Sequence, residues 1–256
     1  MNEHTYKQFD IEIDEIRADL LRMGGCVESM ITDAMLALTS GDPEAIDRVK
    51  ENEKLVNKLE IDIDDRITTV LARRQPLGID LRMMLAVTKM LTDMERCGDE
   101  ADRIAMIGRR LHDDTQKFLP EIELQHIARA VVQMLHEVMD SFARHDSVLA
   151  ASVVRSDKKV DKEWKSALRG LISYMIEDPR TISGSIELLF VARSLERIGD
   201  HCKNMAERVI FMVHGADVRH QGVKAAERLV RQANDESRTD GVADSGSAET
   251  LPKDNT

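Results

Sequence analysis

Apolar residues recur along this chain at intervals of three and four. In the first stretch Ile13, Ile16, Leu20, Met23, Val27, Met30, Ala34 and Leu38 form one stripe. Its period of about 3.5 residues marks an amphipathic helix lying against neighbours in a bundle. Gly24 and Gly25 interrupt the stripe. A helical glycine costs ~1 kcal/mol, so close approach of another helix is expected there. Prolines at 43, 76, 120 and 179 divide the chain into long blocks, each with this periodicity. Asp42-Pro43 reads as a helix start, Asp as N-cap and Pro at the first helical position. The second helix runs to about Arg74, and Gln75-Pro76-Leu77-Gly78 is the turn. A third helix starts near a cap at Asp80 and continues through Leu111, and the pattern breaks over His112–Pro120. A fourth spans about Glu121 to Arg144, a fifth follows the cap at His145-Asp146 to Glu177, and a sixth spans about Ser183 to His214. Beyond Gly222 there is one weak helical stretch, Ala225–Arg231. Asp235–Thr256, rich in Ser, Asp, Thr and Gly, reads as a disordered tail.

The two halves repeat each other. Shifted by 104 positions, Leu20, Val27, Met30 and Ala34 fall on Leu124, Val131, Met134 and Val138, and the cap Asp42 falls on Asp146. Glu53 meets Asp157 and Val56 meets Val160. Past the next turn the shift becomes 101, and Glu95-Arg96-Cys97-Gly98-Asp99 falls on Glu196-Arg197-Ile198-Gly199-Asp200. Any two amphipathic helices align in their apolar positions. They do not share Glu-Arg-x-Gly-Asp at one place in the third helix unless three helices were duplicated. The expected fold is all-α: two tandem three-helix bundles, residues 1–115 and 116–220, followed by a tail over 221–256.

Composition supports helices: of 256 residues 42% are hydrophobic but only 3% aromatic, with 13 Gly and 5 Pro. The net charge of −11 disfavours nucleic acid and anionic membrane surfaces and favours cations. Three scattered cysteines, Cys26, Cys97 and Cys202, make neither a disulfide framework nor a cysteine-rich zinc site. No apolar run approaches the ~20 residues of a membrane span and no leader is evident at the N-terminus, so a cytoplasmic protein is expected.

The chemistry lies in the carboxylates. Glu95 and Asp99 are four apart on one helical face, with Asp102 three further on. Like charges at that spacing destabilise a helix by ~0.2–0.5 kcal/mol per pair, which a bound cation would offset. Carboxylates one turn apart suit a hard, oxygen-preferring ion. Glu196 and Asp200 repeat the pair. Asn204 continues that face, and Lys203 stands where Asp102 stood, so the two faces are not identical. Glu60 and Asp64 of the second helix, and Asp161 with Asp157 of the fifth, can contribute across each bundle. The plain alternative is a solvated, ion-paired surface around Arg96 and Arg103. Gly98 and Gly199 favour close approach either of another helix or of a further group. Glu123-x-x-His126 is half of a di-iron signature that needs two such motifs. His201 and Cys202 point off the acidic face. No phosphate-binding glycine loop or nucleophile–base pair is present, so no catalytic residue is assigned.

These features resemble the PhoU family of phosphate-transport accessory proteins. The strings that carry the resemblance are Glu95–Asp99, Glu196–Asn204, Ala72–Pro76, Asp157–Asp161 and Met175–Thr181, spread over about residues 5–220. The resemblance implies two three-helix bundles, a cytoplasmic homodimer and a role without catalysis. It implies partners as well: the ATPase subunit of the phosphate ABC transporter and the sensor histidine kinase of the phosphate regulon, which such proteins hold in its inhibitory state when phosphate is plentiful, restraining uptake. The acidic motif binds metal in some members. Carried over, it falls on Glu95, Asp99, Asp102, Glu196, Asp200 and Asn204, with Glu60, Asp64 and Asp161 in support. The metal would be a divalent or trivalent ion such as Mg, Mn, Fe or Zn. Two rivals remain: a carboxylate-bridged metal enzyme in a helical bundle, and a helical oligomer whose acidic stripes are only solvated.

Overall fold

The computed structural model describes residues 2–113, 120, 122–219, 224 and 226–231. It contains six long helices: α1 (Asn2–Ser40), α2 (Pro43–Arg74), α3 (Gly78–Asp113), α4 (Gln125–Arg144), α5 (Ser147–Glu177) and α6 (Ile182–His214). Among the described residues there is no strand. None of these helices is long and apolar enough to cross a membrane. The three helices α1 to α3 pack on one another, as do α4 to α6, and the two bundles meet through α3 on α6 and α1 on α4. The expected all-α fold of two tandem three-helix bundles is therefore the one observed. The stripe read in the first helix is its buried face: Ile16, Leu20, Met23, Val27, Met30 and Ala34 are all fully buried. The expected tail, and most of the break before Pro120, lie outside the described residues.

Local signals set most of the boundaries. Asp42 accepts from the Glu44 amide at 3.0 Å, and Asp146 accepts from those of Val148 and Leu149 at 2.9 and 3.0 Å. Each satisfies orphan amides at a helix start. His145 adopts a left-handed φ of 55° to end α4, and Gln75 one of 50° to end α2. Three starts differ from expectation. α3 begins at Gly78, so Asp80 sits in its first turn, where it complements the helix dipole instead of capping. α4 begins at Gln125 after Leu124, which supplies no side-chain cap. A turn of 3₁₀ helix, Pro179–Thr181, leads directly into α6 one residue early, and Asp178 accepts from the Arg180 amide. Beyond α6, residues 226–231 are helical and bury Ala226 and Val230.

The repeat is visible in the packing. Gly98 lies under Val56 and Gly199 under Val160, which are repeat-related positions; an added Cβ would stand 3.6 and 3.2 Å from them. Both glycines therefore serve helix packing inside their own bundle. The halves are joined in antiparallel fashion. On α1 and α4, Arg17 donates to the Ala143 carbonyl at 3.0 Å while Glu28 meets His136. On α3 and α6, Asp93 meets His201, Cys97 lies against the Ile198 carbonyl, and Glu100 meets Ser194 and Arg197. Partner numbers fall as residue numbers rise, so the halves face each other about a pseudo-two-fold axis.

Of the two adjacent glycines, Gly24 is covered by Met139 of α4, whereas nothing lies within 4 Å of a Cβ at Gly25. Gly108 is more confined: an added Cβ would fall 2.8 Å from the Leu38 backbone. We expect Gly108→Ala to push α3 off α1 and cost about 1–3 kcal/mol in urea unfolding. Gly25→Ala should raise stability by ~0.5–1 kcal/mol through helix propensity alone.

Candidate functional site

The third helix of each half carries its carboxylates along the edge it shares with the second helix. In the first half, α3 contributes Glu95, Asp99 and Asp102, and α2 brings Glu53, Glu60 and Asp64 to the same edge. Burial pushes the Glu95 carboxyl above its ordinary value, and the charges of Asp99 and Glu60 raise it further. Burial, then Asp64 and Asp99, do the same to Glu60. Glu53 is raised by burial and by Asp102 and Asp99, and Asp102 by burial and Asp99 against the pull of Lys50. Asp99 thus lies within electrostatic reach of Glu53, Glu60, Glu95 and Asp102. Arg96 is the nearest counter-ion, 3.4 Å from Glu95 and 3.7 Å from Asp99.

In the second half, α6 contributes Glu196 and Asp200, and α5 contributes Asp157 and Asp161. Burial raises Glu196, with Asp200, Asp161 and Asp157 adding to the shift. Burial raises Asp200 as well, reinforced by Asp157 and Asp161. Here the chain's own cations come closer. Lys203 Nζ donates to Asp157 Oδ2 at 2.9 Å, and Arg193 Nη1 to Glu196 Oε1 at 2.5 Å. Burial works against the Lys203 charge, but the bond to Asp157 and the field of Asp200 and Glu207 outweigh it and hold the ammonium above its usual range. Glu196 is only 7% exposed, and among the described residues its second oxygen, Oε2, has no hydrogen-bond partner.

Of the predicted residues, Glu60, Asp64, Glu95, Asp99 and Asp102 share one face, and Asp161, Glu196 and Asp200 share the other. Asn204 turns to the seam between the bundles, where its amide donates to Asp93 Oδ1 at 3.3 Å beside His201, 2.9 Å from the same oxygen. Glu123 and His126 form one exposed surface pair at the start of α4, 3.3 Å apart, and the metal-enzyme alternative gains nothing from them. Glu53 escaped the sequence reading as a site residue, although its repeat partner Asp157 signalled it. Glu100, 4% exposed and held by Ser194 Oγ at 2.6 Å and Arg197 at 2.8 Å, also escaped it.

Among the described residues no three Asp, Glu, His or Cys side chains close around one point as a preformed metal cage. The faces are open carboxylate arrays. Their donors are all hard oxygens, and the sealed, partnerless Glu196 Oε2 is the acceptor a cation would satisfy, so the residues fit a hard ion in chemistry.

With this geometry in view, comparison with known proteins is direct. The model of the PhoU domain matches the chain twice, over residues 20–108 and 124–209. The chain belongs to the PhoU family. It is 43% identical over 224 residues to the phosphate-specific transport system accessory protein PhoU homolog of Pseudomonas putida, covering 88% of each chain. It is 40% identical over 231 residues to the accessory protein PhoU of Escherichia coli strain K12, covering 90% of this chain and 95% of that one. The crystal structure of PhoU from Pseudomonas aeruginosa superposes with a TM-score of 0.77 at 43% identity, over 81% of this chain and all of that one. The phosphate transport system regulatory protein PhoU of Streptococcus pneumoniae gives 0.74 at 25% identity, over 82% and 99%. Both matched domains end within the third helix of their half, past its acidic pair.

The raised carboxyls tie stability to pH. Each binds its proton more tightly in the folded chain than in the unfolded one. The stability they contribute is complete below about pH 4 and is lost as pH rises through their raised folded values. Asp200→Asn removes one such charge. Its melting temperature should exceed the wild type's at pH 7.5 by about 2–4 °C. The difference should close near pH 4 in thermal unfolding followed by circular dichroism.

Proposed function

We propose that this chain is a regulatory adaptor of phosphate uptake and signalling. It binds the ATPase subunit of the phosphate ABC transporter and the sensor histidine kinase of the phosphate regulon. When phosphate is plentiful it restrains uptake and holds the kinase in its repressive state. It acts in the cytoplasm as a homodimer and catalyses no reaction. One observation carries this reading: the duplicated family domain covers both bundles, at 40–43% identity to proteins named as accessories of phosphate-specific transport.

The acidic faces supply the physical means. Glu53, Glu60, Glu95, Asp99 and Asp102 would hold hard cations in the first half, and Asp157, Asp161, Glu196 and Asp200 in the second. Such an ion supplies positive charge between two helices that otherwise repel. Carboxylates on α2 and α3, or on α5 and α6, then share a counter-charge, and the pair of helices stiffens. A stiffer bundle presents a better-defined surface to a partner, because less conformational freedom is lost on docking.

Deleting the gene in the source organism should switch on an alkaline phosphatase reporter of phosphate starvation in phosphate-rich medium, and restoring the gene should silence it. Continued silence in the deletion strain would defeat the adaptor reading. For the cation component, the chelator-stripped protein should gain about 2–3 kcal/mol of stability in excess Mn²⁺. The Glu95→Ala/Asp99→Ala/Glu196→Ala/Asp200→Ala variant should lose that gain, together with reporter repression.

A further inference from the structure

The two halves share a fold and an acidic pair, yet their charges are balanced differently. Position 102 in the first half is an aspartate that adds to the acidic face, raised by burial and by Asp99. The repeat-related position in the second half is Lys203. Its side chain is about one-third exposed, but its ammonium turns toward α5. It lies 2.9 Å from Asp157 Oδ2, a carboxylate only 4% exposed, and so sits between α5 and α6, where a bound ion would bridge the two helices. At the other end of this face, Arg193 takes one oxygen of Glu196 and leaves Oε2 sealed without a donor. The second face therefore has Lys203 bonded to Asp157 at one end and, at the other, Arg193 on one oxygen of Glu196 with the second oxygen left open. Among the described residues no lysine is bonded into the first face, where Lys50 acts on Asp102 and Glu53 only through its field. Its arginine, Arg96, is about as exposed as Arg193 of the second face, so Lys203 is what distinguishes the two.

We propose that Lys203 is a tethered cation that occupies one end of the second acidic face, so that this half takes up fewer multivalent ions than the first and the two bundles are loaded unequally. The ions of the second face then sit at the opposite end, between Glu196, Asp200 and Asp161. This inference rests on the cation component of the proposed function. Its physical basis is competition: a fixed ammonium hydrogen-bonded to Asp157 already provides the neutralisation that a second ion would bring, and it repels that ion across a half-buried site. A divalent or trivalent ion gains most where several oxygens remain uncommitted, and Asp102 leaves the first face in that condition.

The experiment counts ions. The full chain is stripped with chelator and titrated with Mn²⁺. Bound metal per chain is then read by elemental analysis after gel filtration and by the loss of the free-ion electron paramagnetic resonance signal. Glu95→Gln/Asp99→Asn should remove the larger share of the bound Mn²⁺, and Glu196→Gln/Asp200→Asn the smaller. Lys203→Asp, which copies the first half, should add about one Mn²⁺ per chain. The reciprocal Asp102→Lys lies on the half-buried first face and should lower the count, providing a reading even if Lys203→Asp does not fold. Equal losses from the two double substitutions, or an unchanged count in Lys203→Asp or Asp102→Lys, would overturn the role of Lys203 while leaving cation binding intact. A wild-type chain that retains no Mn²⁺ would overturn the cation component itself, and this inference with it. The adaptor reading is tested separately, by the reporter in the deletion strain.

Discussion

Everything in this molecule is organised by the antiparallel packing of α3 against α6. Each of these helices is surrounded by the other two of its own bundle and by its counterpart from the other half. Little of the circumference is left. The seam takes one side, where Asp93 meets His201, Glu100 meets Ser194 and Arg197, and Cys97 lies fully buried against the Ile198 carbonyl. The bundle core takes another, where Gly98 and Gly199 let Val56 and Val160 approach. The carboxylates occupy the remaining edge. The contacts Asp93–His201 and Glu100–Ser194 are exchanged by the pseudo-two-fold axis, which passes near Cys97 and Ile198, so both acidic edges are set by the same seam.

Those edges carry an electrostatic cost. Four half-buried carboxyls on the first face, and a buried and a half-buried one on the second, are pushed upward by desolvation and by one another. A chain selected for stability alone would not gather like charges between packed helices, and perturbed groups of this kind concentrate where a ligand is to be bound. The two halves offset the cost differently. Each half sets a half-exposed arginine, Arg96 or Arg193, against its acidic pair, and the second adds Lys203, bonded to Asp157. Duplication thus preserved the scaffold and the acidic pair while the balance of charge around them diverged.

The legible part of the structure was the local part. Helix periodicity, the caps at Asp42 and Asp146 and the duplicated Glu-Arg-x-Gly-Asp were readable because each depends on residues within a few positions of one another. Glu95 and Asp99, or Glu196 and Asp200, share a helical face by spacing alone. The starts at Gly78 and Gln125 lie a few residues from where periodicity puts them because no side-chain cap marks them. Asn204 shows the limit of spacing. It lies four residues after Asp200, yet its amide reaches Asp93 on another helix, since one turn along α6 is enough to cross from the acidic edge to the seam.

Local pattern along the chain thus specifies the helices, their duplication, the acidic character of two helical edges and the family to which the chain belongs. Only the tertiary structure decided how each helix is rotated about its axis: that Glu100 is buried at the seam, that Glu53 joins the first face, that Gly98 and Gly199 serve internal packing, and that Lys203 turns inward to Asp157. The reason is physical. Periodicity defines which residues share a stripe, but the orientation of that stripe follows from ridges fitting grooves on helices distant in sequence, and that fit depends on all the facing side chains together.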